Sequence, residues 1–150
     1  CLMCFTKETH QERIRCENML SNQSFVLNLN NQQFKSNQNR LCGSVPLEIN
    51  YEKTHESIYI LAPRGAGIDT HRFYEAIYLD AIPIVKRTHT PFDKLYNIFP
   101  CLVVEDWNDI TEDFLLNKKD EMIHQLETFQ KTYPNWMTDL DSTQDLLKNT

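Results

Sequence analysis

Between Arg64 and Glu75 the chain gathers residue types that suit a phosphate-bearing ligand. The run reads Tyr59-Ile60-Leu61-Ala62-Pro63-Arg64-Gly65-Ala66-Gly67-Ile68-Asp69-Thr70-His71-Arg72-Phe73-Tyr74-Glu75. An apolar strand ends at Pro63, a glycine loop follows, and a helix begins near Asp69. The whole chain holds three glycines, and Gly65 and Gly67 are two of them. Glycine permits positive φ and lets a ligand approach the main chain closely. A helix start adds free N–H groups and the positive end of its dipole. Arg64 and Arg72 contribute forked donors that match phosphate oxygens. Glu75 shares a helix face with Arg72. One turn into the helix, its carboxylate can accept two ribose hydroxyls while a diphosphate sits nearer the tip. The same residues also fit a blander reading: a connecting loop, followed by a solvent-exposed Arg72–Glu75 ion pair worth about 0.3–0.5 kcal/mol. The glycine spacing is neither a Walker loop nor a dinucleotide fingerprint.

The elements that must position this run can be read outward from it. Residues 1–6 read as a strand and Thr9 to Leu20 as a helix, with Thr9 as N-cap and Glu12 three residues on. Phe25 to Leu29 is a second strand, and Asn30 to Arg40 a polar loop. Tyr51 to Ser57 reads as a short helix and Ile58 to Ala62 as a buried strand. Asp69 to Leu79 is a helix capped by Asp69 or Thr70. Ile82 to Val85 is a strand, Pro91 to Asn97 a short helix opened by proline, and Cys101 to Val104 a further strand. Thr111 to Asn117 reads as a short helix. Lys119 to Tyr133 is a separate amphipathic one, because Met122, Leu126, Phe129 and Tyr133 recur at helical spacing. Alternating strands and helices imply parallel pairing in an open, doubly wound α/β sheet of about five strands. Such sheets bind ligands at the carboxyl ends of their strands.

The 150 residues fit one domain, residues 1–137, followed by a polar tail at 138–150. With a net charge of -6 and a pI near 5.3, the chain lacks the basic face of a phosphate-tracking nucleic-acid binder. No stretch is apolar enough to span a membrane. Five cysteines at irregular spacing, with one Cys1-x-x-Cys4 in an apolar run, read as buried thiols in preference to a zinc or redox site. The start at Cys1, already inside a strand-like run, reads as that of a piece of a longer protein. The sequon Asn22-Gln23-Ser24 does not fix a compartment.

Residues 60–85 resemble the signature of the exostosin-like glycosyltransferases: a strand, Pro-x-Gly-x-Gly-x-Asp, His-Arg-x-x-Glu-Ala, then Ile-Pro-Ile-Val. Leu95-Tyr96, Leu102 to Trp107 and Ile110-Thr111 resemble the next block of that family. Phe5, Thr9-His10 and Arg13 resemble its opening strand–loop–helix. The likeness runs from about residue 5 to 115 and is weak over 20–56. It implies a Rossmann-like lobe of a two-lobed (GT-B type) enzyme, the C-terminal lobe that holds the nucleotide sugar, joined to an N-terminal lobe. By this resemblance Arg13, Arg64, Gly65, Gly67 and Arg72 belong at the diphosphate, with Asp69 and His71 beside it, and Glu75 at the ribose. It further implies a UDP-sugar donor, a carbohydrate or glycan acceptor, and a Golgi or other secretory lumen in a membrane-tethered parent, with a cytoplasmic location as the alternative. No catalytic base is evident, so the isolated chain is not expected to turn over.

Two rival readings remain open: a nucleotide-binding remnant without turnover, and a purely structural Rossmann-like partner domain. Asp80 stands where the family commonly has Gly, which leaves room for the first. His71 suits a phosphate hydrogen bond or a packing role equally. Lys86-Arg87 read as facing solvent, although that end of the sheet adjoins the cleft. In Glu105-Asp106-Trp107 a packed Trp107 and a capping Asp106 are favoured over a metal site. Trp136 reads as packing the last helix onto the lobe or touching a missing one. His55, His89 and His124 have no ligand-like spacing.

Overall fold

The computed structural model describes residues 1–30, 32, 41–42 and 45–137. Five strands form one all-parallel sheet: β1 (Leu2–Met3), β2 (Leu27–Asn28), β5 (Tyr59–Leu61), β6 (Ile82–Lys86) and β7 (Leu102–Val104). Their spatial order is β2-β1-β5-β6-β7. The register pairs Leu2 with both Leu27 and Ile60, Ile60 with Pro83, and Ile84 with Leu102. This is the open Rossmann-like α/β architecture expected from the alternation of elements, and β5 is its central strand. A small antiparallel pair, β3 (Leu41–Cys42) and β4 (Val45–Pro46), stands apart from the main sheet and has no counterpart in the sequence reading.

Strands covered on both faces need continuous apolar runs, not alternation. Tyr59, Ile60 and Leu61 are all buried, as are Ile82, Ile84 and Val85. Met3, Tyr59 and Leu61 join the larger apolar cluster, with Cys16 and Leu20 of helix α1 (Gln11–Leu20) and Leu115, Met122, Leu126 and Phe129 of helix α4 (Glu112–Thr132). Leu2, Cys4 and Ile60 join a smaller one, with Val45, Ile49 of helix α2 (Leu47–His55) and Ala76 of helix α3 (His71–Tyr78). Cys4, Cys16 and Cys101 are buried. Burial pushes the Cys101 thiol up to about 12 and raises Cys16 further.

Three boundaries differ from expectation. His10, not Thr9, caps α1: its Nδ1 accepts from the Glu12 amide at 3.0 Å, and Lys7–Thr9 form a separate 3-10 turn. Helix α2 begins at Leu47, directly after Pro46, earlier than the expected Tyr51. The two helices expected over 111–133 are one, because 117–119 contain neither Gly nor Pro and Lys118 pairs with Glu121 at 2.8 Å. Its Thr111 cap accepts from Phe114 N at 3.1 Å, as the sequence indicated. Trp136 packs back onto Tyr74, Phe99 and Phe129. Trp107 is buried, and Asp106 closes a capping box with Asp109. The expected loop over 30–40 and the tail at 138–150 lie outside the described residues, apart from Asn30 and Gln32. Among the described residues no helix is long and apolar enough to cross a membrane.

Asp80, between α3 and β6, has φ 61, which explains why a glycine suits this turn. The carboxylate is pinned in place: Gln130 Nε2 donates to it at 2.8 Å, and His55 Nδ1 lies 3.6 Å away. Asp80→Val should cost about 1–2 kcal/mol in urea denaturation, from left-handed strain on a branched residue. Asp80→Gly, which relieves strain but loses the Gln130 bond, should stay within about 1 kcal/mol of the parent. Equal losses in both variants would place the stabilisation in the side-chain bond alone.

Candidate functional site

The strand order reverses direction between β1 and β5, because the chain runs outward from β1 to β2 and then returns to the other side of β1. Two loops leaving the carboxyl ends of these strands diverge there, and a crevice opens between them. It is a cleft of ≈ 370 Å³. The loop after β1 and helix α1 supply Phe5, Thr6, Thr9 and Arg13. The loop after β5 and helix α3 supply Gly65, Gly67, Asp69, His71, Arg72 and Glu75, and α2 adds Leu47 and Asn50. Seven of the eight sequence-predicted residues therefore meet in one cavity: Arg13, Gly65, Gly67, Asp69, His71, Arg72 and Glu75.

Arg13 ties the two loops together. Its NH1 donates to Thr6 O at 2.9 Å, its Nε donates to Arg64 O at 3.3 Å, and its guanidinium lies 5.8 Å from the centre of the Phe5 ring. A Cβ on Gly65 would sit 2.9 Å from Arg13 Nη2, so a larger residue there would push the guanidinium from its present place. Neither Gly65 nor Gly67 adopts the left-handed backbone that their scarcity suggested.

Helix α3 starts at His71, and the Thr70 hydroxyl makes no capping bond. Its first-turn N–H groups are thus not closed by their own cap. Arg72 is not the solvent-exposed member of an ion pair, since it is 7% exposed and donates from NH1 to Asn50 Oδ1 at 2.7 Å. That bond fixes the amide of Asn50, itself 0% exposed, so that Nδ2 is the donor left without a hydrogen-bond partner beside the cleft. Asn50 escaped the sequence reading because the helix carrying it was started at Tyr51, four residues too late. The visible signal was Pro46 ahead of Leu47 and Ile49, with Glu48 in the first turn. Burial, followed by a hydrogen bond to Asp69, raises the Tyr74 hydroxyl well above its ordinary range. Tyr74 thus stays protonated and holds the Asp69 carboxylate. Two guanidiniums and an open helix start can face an anion here, while Glu75 and Asp69 can accept from hydroxyls.

Arg64 departs from expectation. Only its carbonyl faces Arg13, and its side chain lines a neighbouring cleft of ≈ 330 Å³ beyond the ends of β5 and β6. The space above Gly65, where it was expected, holds the Arg13 guanidinium. Lys86 and Arg87, expected in solvent, line this second cleft with His10, Glu12, Tyr96 and Trp107. Glu12 organises one wall. It accepts from Arg15 at 2.7 Å, and from Lys86 and Trp107 at 3.3 Å each.

No protein-family model matches the sequence, and no curated protein matches it.

Asn50→Leu removes the acceptor of a buried guanidinium and should destabilise the fold by about 1–3 kcal/mol in urea denaturation. An unchanged midpoint would show that Arg72 does not depend on Asn50. Glu12 gives a pH signature. Burial opposes its charge, but hydrogen bonds from Arg15, Lys86 and Trp107 outweigh it and hold the carboxyl below the usual glutamate range. A depressed folded-state pKa stabilises above the unfolded value and is lost as pH falls through the folded one. Glu12→Gln should therefore lower stability near neutral pH and flatten the loss of stability below pH 4.5, measured by thermal melts across pH.

Proposed function

We propose that this chain is the donor-binding lobe of a glycosyltransferase, which holds a nucleoside diphosphate sugar, with UDP as the nucleotide, in the cleft between β1 and β5. The observation that carries the reading is the convergence of Arg13, the Gly65–Gly67 loop, Arg72 and Glu75 at the point where the strand order reverses. The diphosphate lies against Arg13 and the start of α3, and Glu75, in the second turn, accepts the ribose hydroxyls. Arg72 acts with Asn50 as a buried donor wall. Arg64 leaves the diphosphate set, because its side chain belongs to the other cleft. The resemblance to exostosin-like enzymes supports the same assignment from the sequence side.

In sugar transfer, negative charge grows on the departing diphosphate. Fixed guanidiniums and helix N–H groups already aimed at it stabilise that charge without reorganising. A second lobe, with the acceptor glycan, supplies the remaining half of the cleft and the base. Asp80, the departure from the family pattern, lies beyond the far end of α3 from this cleft. It therefore supplies no argument for an inactive remnant.

Calorimetry with UDP tests the proposal. Arg13→Ala should lose about 1.5–3 kcal/mol of binding, the range for a hydrogen bond to a charged group. Glu75→Ala should chiefly erase the preference for UDP over 2′-deoxy-UDP. Absence of saturable binding, or equal binding by parent and both variants, refutes the assignment. Binding without sugar transfer, when a competent partner lobe is supplied, would establish the inactive nucleotide-binding alternative.

A further inference from the structure

The second cleft opens outside the carboxyl ends of β5 and β6, separated from the first by the Arg64–Gly65 backbone. Three cations line it, Arg64, Lys86 and Arg87, against one carboxylate, Glu12. Two of the cations have protein counter-charges: Lys86 lies 3.3 Å from Glu12 and 3.7 Å from Asp106, and Arg87 pairs with Glu105. Arg64 forms no salt bridge with a described residue, and its buried Nε has no hydrogen-bond partner. Arg64 therefore brings to this cleft a positive charge that no described carboxylate neutralises.

Neutral donors complete the wall. His10 Nδ1 accepts from the Glu12 amide, so in the neutral ring the proton resides on Nε2. Burial chiefly, and then neighbouring Cys101 and Asp93, push the Tyr96 hydroxyl up to about 12, so it remains a donor. The rim is rigid as well. Asp93 accepts from the amides of Thr88 at 2.9 Å and His89 at 2.8 Å, and His89 is held at φ 56. A non-glycine residue kept in that region marks a loop whose shape is imposed by its surroundings.

We propose that this cleft is a second anion site, which takes the phosphate group of a small molecule through Arg64, Lys86 and Arg87. Arg64 is the one of the three cations without a protein counter-charge among the described residues, and the ≈ 330 Å³ leaves room for a phosphate with an attached organic group against Tyr96. The site shares no lining residue with the nucleotide-sugar cleft and does not rest on that reading.

Its natural reporter is the indole N–H of Trp107, which donates to Glu12 in the wall. Titration of the 15N-labelled chain with inorganic phosphate should shift the Trp107 indole resonance saturably, with Trp136 as the internal control. Arg64→Gln should weaken binding at least tenfold, whereas Glu75→Ala should leave it unchanged within twofold. Phenyl phosphate in a parallel titration identifies the source. Tighter binding than inorganic phosphate indicates an ester, and equal binding indicates phosphate itself. A shift that does not saturate, one shared equally by Trp136, or undiminished binding in Arg64→Gln would overturn the proposal.

Discussion

The grip of Arg13 on two loops is the constraint around which this end of the molecule is organised. A parallel sheet whose order reverses leaves its two central loops diverging, with nothing in the sheet itself to fix their separation. Arg13 fixes it by donating to Thr6 on one side and Arg64 on the other. Three features meet at that one guanidinium. A larger residue at 65 would displace it, the Arg64 side chain lies on its far side, and two separate clefts flank the turn.

A second link works at longer range in the sequence. Arg72, in the first turn of α3, donates to Asn50 from α2. Helix α2 packs through Ile49 into the same cluster as Val45 of the antiparallel pair. The segment that resembles the family least therefore reaches the cleft directly. On the opposite side, Glu17 is buried between Lys7 at 3.1 Å and Asn30 at 3.3 Å, and Asn30 in turn accepts from Phe5 N at 2.8 Å. These polar contacts anchor the loop after β1 from behind while Arg13 holds it in front.

Much of this was legible in the residues. Apolar runs such as Tyr59–Leu61 mark strands buried on both faces, and helical spacing at Met122, Leu126 and Phe129 marks α4. Local rules succeed where one physical preference dominates. They failed where two signals competed. Thr9 and His10 both suit a cap, and the nearer side chain took the Glu12 amide. The Asn117-Lys118-Lys119 stretch looked like a break because it is polar, yet polarity on a solvent face does not end a helix. Within the site, residue type, spacing and the family resemblance picked out seven residues that line one cleft, but direction was invisible. Whether Arg64 points into one cleft or the next depends on an arginine 51 positions away. Asn50 depended on a partner 22 positions away, and no pattern in its own neighbourhood announces such a bond.

The outer strand β2 bears on how the molecule meets others of its kind. It pairs over two residues only, Leu27 and Asn28, and Leu27 is 44% exposed. An open sheet must end somewhere, and its last strand offers unpaired amides and carbonyls to any extended chain that drifts past. A border this short, followed at once by the Asn30 amide donating to Asn28 Oδ1, gives an incoming strand too few rungs to climb. The sheet thus resists growing by recruitment, and an apolar residue can sit on its margin without becoming a seed for aggregation.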